Sequence, residues 1–216
     1  MKIALGIPVK DCVYGEVYGS HLALVAEMAR AGELTILSPY TAPSVDLARG
    51  FIWNFAKESD YLMFVDQDIL LPLKAFDTLL EVMQRRGAQV VAGRYPLRGY
   101  PYANIWASRN EGRLRFTESS VEAEIQGCGM GCTLIDVKWV LEHLEEPLFV
   151  TSYDSLGRVR ETEDYYFCKH VTEAGGTIVG VPSVECGHVE ARRTVVTVPS
   201  ADLLRRKELL GVTDQG

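Results

Sequence analysis

Two aspartates one residue apart, Asp66 and Asp68, directly follow a continuous apolar run at 61–65 in this chain of 216 residues. A run of that kind is typical of a strand buried on both faces. In an open α/β sheet the ligand crevice lies beyond the carboxyl ends of the strands, which is where these acids stand. Two carboxylates there can hold a hard divalent cation that carries a diphosphate. The alternatives are a solvated loop, or an N-cap for a helix predicted to start at Pro72.

A second group of acids, at 161–164, precedes an aromatic run. These residues open a helix predicted over 163–174, and the helix macrodipole favours acids in a first turn. Capping through Thr162 or Glu163 would by itself explain one or two of them. In the functional interpretation, Asp164 or Glu163 lies beside a pocket and accepts a proton or a hydroxyl hydrogen bond.

Two further segments contain residue types that bind ligands. His188 ends a short predicted strand, where a neutral imidazole would complete a metal site begun by Asp68, although an isolated histidine is more often packed or solvent-facing. The segment 126–132, with the sequence QGCGMGC, alternates three glycines, so its backbone amides, including that of Gly129, can line a substrate. A tetrahedral zinc site is the competing interpretation, with the ligands Cys128, Cys132, Cys186 and His188.

The elements that must position these residues alternate between strand and helix. The first 95 or so residues show apolar strands at 3–9, 33–38, 60–65 and 88–92, separated by helices at about 20–30, 43–58 and 72–87. This alternation predicts a parallel or mostly parallel sheet with helices on its faces. The rhythm changes over 94–126, which predicts an antiparallel excursion or a mobile substrate loop. The remaining predicted elements are strands at 131–135, 177–181 and 184–189, helices at 137–144 and 163–174, and a short amphipathic helix at 200–210.

Composition limits the kind of protein that carries these residues. Hydrophobic residues make up 47% of the chain and charged residues 24%, as in a globular protein of one domain. The formal net charge of −7 argues against nonspecific binding to a nucleic-acid backbone, since such proteins concentrate positive charge. No apolar run approaches the roughly 20 residues that cross a bilayer. The first residues do not have the pattern of a secretory signal, so the five cysteines are expected to be reduced thiols of a cytoplasmic protein.

Taken in order, these segments resemble a nucleotide-sugar glycosyltransferase of the GT-A fold, of the family 2-like type with an Asp-x-Asp motif. The resemblance spans nearly the whole chain. It implies a single GT-A (Rossmann-like) α/β domain over 1–216, with a mixed, mostly parallel central sheet flanked by helices. Within it, 1–95 would form the nucleotide-binding half, 96–198 the acceptor half and 199–216 a C-terminal tail. The markers of the resemblance are 7–8, 48–49, 61–68 followed by Pro72, 127–131, 163–167 and 184–188.

The resemblance also implies roles for the residues on the donor side. Asp66 would contact the ribose or the metal, and Asp68 would ligate Mn²⁺ or Mg²⁺ through the donor diphosphate. His188 would be the protein's other metal ligand. Pro8 would line the nucleoside pocket, and Arg49 would reach the base or a phosphate. A divalent cation suits this chemistry because glycosyl transfer releases a diphosphate whose charge it stabilises.

On the acceptor side, the resemblance places Asp164, with Glu163 beside it, next to the acceptor, where it would be the base that activates the hydroxyl if the enzyme inverts the anomeric centre. Gly129 would contribute to binding of the donor. The implied reaction is the metal-dependent transfer of one sugar from a nucleotide-sugar, UDP- or GDP-linked, to an unknown hydroxyl. Processive synthesis is not expected, because the Gln-x-x-Arg-Trp signature of processive synthases is absent.

Three alternatives stay open from the sequence. A sugar nucleotidyltransferase shares the sheet, the acids and the metal, but it usually carries a glycine-rich loop after the first strand, where this chain has 9–12, VKDC. A non-catalytic module that binds a nucleotide-sugar is the second alternative. The third concerns assembly, because the predicted helix at 200–210 could join two copies in a homo-oligomer.

Overall fold

The computed structural model describes residues 1–10, 13–37, 42–96, 107–110, 113–116, 121–189 and 195–196. The strands are β1 (Lys2–Gly6), β2 (Glu33–Leu37), β3 (Tyr61–Val65), β4 (Ile69–Leu70), β5 (Val90–Arg94), β6 (Ala107–Asn110), β7 (Arg113–Phe116), β8 (Ala123–Ile125), β9 (Cys132–Asp136), β10 (Ser152–Tyr153), β11 (Val159–Glu161), β12 (Ile178–Glu185), β13 (Gly187–Val189) and β14 (Val195–Val196). The helices are α1 (Gly15–Ala31), α2 (Val45–Ala56), α3 (Ala75–Arg86), α4 (Val137–His143) and α5 (Glu163–Glu173).

Seven of these strands form the central sheet, in the order β2-β1-β3-β9-β5-β12-β8. Strand β1 pairs in parallel with β2 and β3, and β5 pairs in parallel with β12. Strand β9 lies between β3 and β5 and is antiparallel to both, while β8 is antiparallel to β12 at the edge. Five strands therefore share one direction and two oppose it. The predicted α/β architecture with a mixed, mostly parallel sheet is confirmed.

The centre of the sheet is apolar because helices cover it. Strand β3 is buried from Leu62 to Val65, as its uninterrupted apolar sequence predicts. Helix α2 turns Ala48, Ile52 and Ala56 inward, at the spacing of one helical face. Burial of this central layer provides the rigid support on which the loops beyond the strand ends are held.

The helix predicted over 20–30 begins earlier, at Gly15. Glycine is a poor residue for a helix interior, so local preference favours a loop over this segment. Packing decides otherwise, because Val17, His21, Leu24 and Met28 all lie buried on one side of α1. Tertiary burial thus adds more than one helical turn to the predicted helix.

The helix predicted to start at Pro72 starts instead at Ala75, after Lys74 in the left-handed conformation with φ of 62°. Upstream of this helix, Ile69 and Leu70 form strand β4, which pairs with β13. The first turn of α3 is capped from another helix, since the Asp77 amide donates to the carboxylate of Glu27 at 2.7 Å. The chain that follows the two aspartates is therefore strand and turn, not helix.

The segment 94–126 contains antiparallel structure where the structure describes it. Strands β6 and β7 form a two-stranded antiparallel ribbon, and β8 joins the central sheet. Residues 97–106, 111–112 and 117–120 of the predicted substrate loop, and the predicted tail helix at 200–210, lie outside the described residues. Within the described ranges, no helix has both the length and the apolar character needed to span a membrane.

Candidate active site

An open cleft of about 560 Å³ lies beyond the carboxyl ends of β1 and β3. These two strands are parallel neighbours, so the loops that follow them meet at one edge of the sheet. A hydrogen bond of 2.6 Å from the Lys10 amide to the side-chain carbonyl of Gln67 joins the two loops directly. The lining includes Pro8, Lys10, Tyr14, Val45, Ala48, Asp66 and Asp68. Three of the predicted site residues, Pro8, Asp66 and Asp68, therefore share one cleft.

Asp68 and His188, 120 residues apart in the chain, are in direct contact. The pairing of β4 with β13 brings them together, and the Val189 amide donates to the Asp68 carbonyl at 2.8 Å. Asp68 Oδ2 lies 3.2 Å from His188 Nε2. The side chain of Asp68 is only 4% exposed and that of His188 10%, so the solvated-loop alternative is wrong for Asp68. The N-cap alternative is also wrong, because Lys74 occupies that position of α3.

The second ring nitrogen of His188 is also engaged. Nδ1 lies 2.9 Å from the carbonyl oxygen of Pro96, which can only accept, so Nδ1 carries a proton. In a neutral imidazole, Nε2 then presents its lone pair to the carboxylate of Asp68. Two acceptors at 3.2 Å require a proton or a cation between them. Among the residues that the structure describes, no group of three or more His, Cys, Asp and Glu side chains is placed to hold a metal ion.

Arg49 lies on the inner face of α2 and joins two of the predicted acids. Its side chain is 3% exposed, one terminal nitrogen lies 2.8 Å from Asp66 Oδ1, and the other donates to Glu163 Oε1. Burial by itself lowers the pKa of Arg49, but the charges of Asp66, Glu163 and Asp164 outweigh it and raise that pKa above its ordinary value. The predicted contact of Arg49 with a base or phosphate stays a prediction, since the structure places its guanidinium between carboxylates.

The two neighbouring acids at the start of α5 have different surroundings. Burial raises the pKa of Glu163 above its ordinary value, and the charge of Arg49 offsets only part of that shift. Asp164 is half-buried, and its Oδ1 accepts from the Thr162 hydroxyl and, at 2.8 Å, from the Tyr165 amide. Its Oδ2 accepts no hydrogen bond from the described residues. Glu163 is thus held by Arg49, while Asp164 keeps one carboxylate oxygen for another partner.

The glycines of 126–132 serve close packing inside the protein. A Cβ on Gly127 would lie 2.9 Å from the ring of Tyr165, and one on Gly131 would lie 2.9 Å from the ring of Tyr95. The Gly131 amide also donates to the Tyr95 hydroxyl at 3.0 Å. Gly129 is buried, and its carbonyl accepts from Thr133. Its role in donor binding stays a prediction.

The three cysteines of the zinc interpretation lie in two separate thiol pairs, and His188 contacts Asp68 and Pro96 instead. Cys128 lies against Cys168, with their sulfur atoms 3.8 Å apart, and Cys132 is hydrogen-bonded to Cys186. These four cysteines are buried and free. The hydrogen bond with Cys168, together with burial, raises the pKa of Cys128, which disfavours the thiolate form that binds zinc. The residues that the structure describes do not assemble the zinc site.

Three residues near Asp66 and Asp68 were not predicted from the sequence to belong to the site: Lys10, Tyr14 and His21. Lys10 and Tyr14 line the cleft, but a single lysine and a single tyrosine in a loop carry no distinctive pattern. His21 contacts the Ile69 carbonyl at 3.2 Å, next to Asp68. Burial lowers the pKa of His21, although the charges of Asp66 and Asp68 act in the opposite direction. Its position on the apolar face of α1 is the one signal that the sequence contains.

The strand order, with a ligand-sized cleft at this edge of the sheet, defines the class: an α/β protein with a GT-A-like fold. Solved structures that match this fold include the following two. The crystal structure of A197 from STIV matches with a TM-score of 0.64 and 21% identity, covering 93% of this chain and 95% of that one. The crystal structure of GalNAc-T7 with UDP, GalNAc and Mn²⁺ matches with a TM-score of 0.59 and 10% identity. That match covers 87% of this chain and 43% of the GalNAc-T7 chain.

These likenesses confirm the fold predicted from the sequence. At 21% and 10% identity they show the fold alone. No protein-family model matches this chain, and no curated protein matches it. What the chain does must therefore be inferred from its own site.

Proposed function

We propose that this protein is a metal-dependent glycosyltransferase that moves one sugar from a nucleotide-sugar donor to an acceptor hydroxyl. The observation that carries the proposal is the contact of His188 with Asp68, which lines the cleft beyond β1 and β3. The similarity in fold to GalNAc-T7, a glycosyltransferase whose structure holds UDP, GalNAc and Mn²⁺, supports the same conclusion. A UDP-sugar is therefore the first donor to test.

The residues present fit a divalent cation. Two ligands at about 2.1 Å in adjacent octahedral positions are about 3 Å apart, and the facing atoms of Asp68 and His188 are 3.2 Å apart. The hydrogen bond from His188 to the Pro96 carbonyl orients the ring, as is usual for a histidine that binds metal. Asp68 and His188 would hold Mn²⁺ or Mg²⁺, and the donor diphosphate and water would complete its ligands. The bound ion would stabilise the negative charge of the departing diphosphate.

The charges around the cleft support a cationic ligand. Asp66 and Asp68 line the cleft, and Glu163 and Asp164 lie next to it through Arg49, while the cations nearby are Arg49 and Lys10. The set therefore has an excess of negative charge, which disfavours a bare diphosphate. A donor that arrives with a divalent cation removes this obstacle.

Asp164 is the side chain assigned to the acceptor. Its neighbour Glu163 is held by Arg49, whereas Asp164 retains an oxygen without a partner among the described residues. We assign to Asp164 the removal of the proton from the acceptor hydroxyl, if the enzyme inverts the anomeric centre. Pro8 and the half-buried Tyr14 would contact the nucleoside, since both line the cleft and both offer apolar surface.

The test is a thermal-shift panel of UDP-, GDP-, ADP-, CMP- and dTDP-sugars, each with and without Mn²⁺. A ligand at a hundredfold excess over its Kd stabilises the folded state by about 2.7 kcal/mol. For a chain of this length that corresponds to a rise of roughly 5–11 °C in Tm. We expect such a rise in Tm with the sugars of one nucleotide class, and only when Mn²⁺ is also present.

Two variants make the panel specific. Asp68→Asn keeps the volume of the side chain and is expected to abolish the Mn²⁺-dependent shift. Glu145→Gln changes an exposed carboxylate outside the cleft lining and serves as the matched control. Nucleoside triphosphates form a second panel, and a wild-type shift with these but with no nucleotide-sugar would overturn the proposal in favour of a nucleotidyltransferase. Equal shifts in wild type and Asp68→Asn would remove Asp68 from the metal site.

A further inference from the structure

Arg49 is buried at a point where two distant parts of the chain meet. Its partner Asp66 follows it by 17 residues and its partner Glu163 by 114 residues. Asp66 belongs to the loop after β3 and faces the cleft, with its side chain 28% exposed. Glu163 is the first residue of α5 and its side chain is 8% exposed. One guanidinium therefore connects the donor side of the cleft with the helix that carries Asp164.

The geometry of this contact requires arginine. The two terminal nitrogens of the planar guanidinium serve one carboxylate each, which a lysine ammonium on a single flexible stem does not reproduce. Among the described residues, the buried Nε atom has no hydrogen-bond partner, so the two terminal nitrogens make the polar contacts of this side chain.

Resting on the proposed function, we infer that Arg49 is a positioning residue that sets the orientation of Asp66 and of the first turn of α5 together. Asp66 Oδ1 accepts from Arg49, so the rotation of this cleft-lining carboxylate is fixed. Glu163 holds the start of α5 at the same guanidinium, and Asp164 is the next residue. The Asp164 carboxylate is close enough for its charge to act on Arg49. Loss of either contact displaces the donor-side and acceptor-side carboxylates relative to each other.

A purely structural ion pair would behave differently. In that case a variant of Arg49 would lose activity only in proportion to the fraction of protein that is unfolded. A positioning residue affects turnover in molecules that are fully folded, because a displacement of about 1 Å at reacting groups can cost about 100-fold in rate. The two roles are separated by assaying variants at a temperature where circular dichroism shows them folded.

The experiment compares Arg49→Lys with Arg85→Lys. Arg85 forms an ion pair with Glu122 on the exposed face of α3, far from the cleft lining, so it controls for an arginine-to-lysine change. The assay measures release of nucleoside diphosphate from the donor that stabilises the wild type in the presence of Mn²⁺. Arg49→Lys is expected to lower kcat about 100-fold, with the donor Kd raised less than about tenfold. Arg85→Lys is expected to match the wild type, and wild-type kcat in folded Arg49→Lys would overturn the inference.

A second measurement does not depend on turnover. Hydrogen exchange is followed by mass spectrometry in peptides covering 66–70 and 163–173, for wild type and Glu163→Gln. The inference predicts faster exchange at 66–70 in Glu163→Gln, although the substituted residue lies in the other peptide. Unchanged exchange at 66–70 would refute the link. If the wild type turns over no donor, the proposed function fails, and this exchange result still decides whether Arg49 joins the two segments.

Discussion

Replacing Arg49 with methionine removes the cation that contacts both Asp66 and Glu163, while an apolar stem of similar length remains. Glu163 is the partner most affected, because its side chain is 8% exposed, whereas that of Asp66 is 28% exposed and reaches water. Removing one member of a buried ion pair costs about 3–5 kcal/mol in the free energy of unfolding. Glu163 can take up a proton, so we expect the low end, about 3 kcal/mol. That corresponds to a fall of roughly 6–12 °C in Tm.

The loss should depend on pH with a definite sign. Burial already raises the pKa of Glu163 above its ordinary value of 4.5, and removing Arg49 removes the main influence that lowers it. A carboxyl whose pKa is higher in the folded state favours folding when it is protonated. This contribution is complete below the ordinary pKa and is lost as the pH rises through the raised one. The deficit of Arg49→Met is therefore expected to be small near pH 4 and largest at neutral pH.

Thermal and urea unfolding, followed by circular dichroism at both pH values, test this reasoning. A double-mutant cycle with Glu163→Gln isolates the pair, since Arg49→Met then leaves no buried carboxylate at that position. The double variant should be more stable at neutral pH than the sum of the two single effects predicts. Arg85→Met, which breaks the exposed pair with Glu122, should leave Tm nearly unchanged. Additive effects in the cycle, or equal losses for Arg49→Met and Arg85→Met, would refute the account of a buried, coupled pair.

Three further predictions follow from the same contacts. Gly131→Ala places a Cβ 2.9 Å from the Tyr95 ring, so we expect it to lower the free energy of unfolding by about 1–3 kcal/mol in urea denaturation. An unchanged free energy of unfolding would mean that the ring has room to move. Asp164→Asn should keep Mn²⁺-dependent donor binding in calorimetry and lose sugar transfer, and full transfer would exclude Asp164 as the base. Burial raises the pKa of Glu27, so the free energy of unfolding of the wild type should fall as the pH rises through that raised pKa. Glu27→Gln should reduce this pH dependence in unfolding curves between pH 4 and 7. The same pH dependence in both proteins would contradict the prediction.

Hydrophobic pattern alone predicts most of the central sheet. Strands β1, β3 and β5 are short apolar runs between amphipathic helices, and runs of that kind are buried on both faces of a parallel sheet. The same pattern places Asp66 and Asp68 beyond a strand end. The class of fold and the edge that carries the cleft were therefore predictable, because both depend on local periodicity and on the order of the elements.

Local preference was less informative about where the helices begin. Helix α1 starts at Gly15, well before the predicted Ser20, because burial of its inner face outweighs the poor helix preference of glycine. Helix α3 starts at Ala75 instead of Pro72, because β4 pairs with β13 just upstream and Lys74 takes the left-handed conformation before the helix. Both errors come from contacts with distant segments, which a sequence window does not contain.

The partners of the acidic residues were decided by tertiary structure. Asp68 contacts His188, 120 residues away in the chain, only because β4 pairs with β13. Through this contact the second aspartate of a common Asp-x-Asp tripeptide becomes part of a buried pair with His188. Arg49 meets Glu163 across 114 residues, which separates the interpretations of Glu163 and Asp164 that the sequence left joined. Residue type and periodicity determine which groups are available and which elements form. Which charges come into contact depends on strand pairing and helix packing between distant segments, because those contacts carry no local pattern.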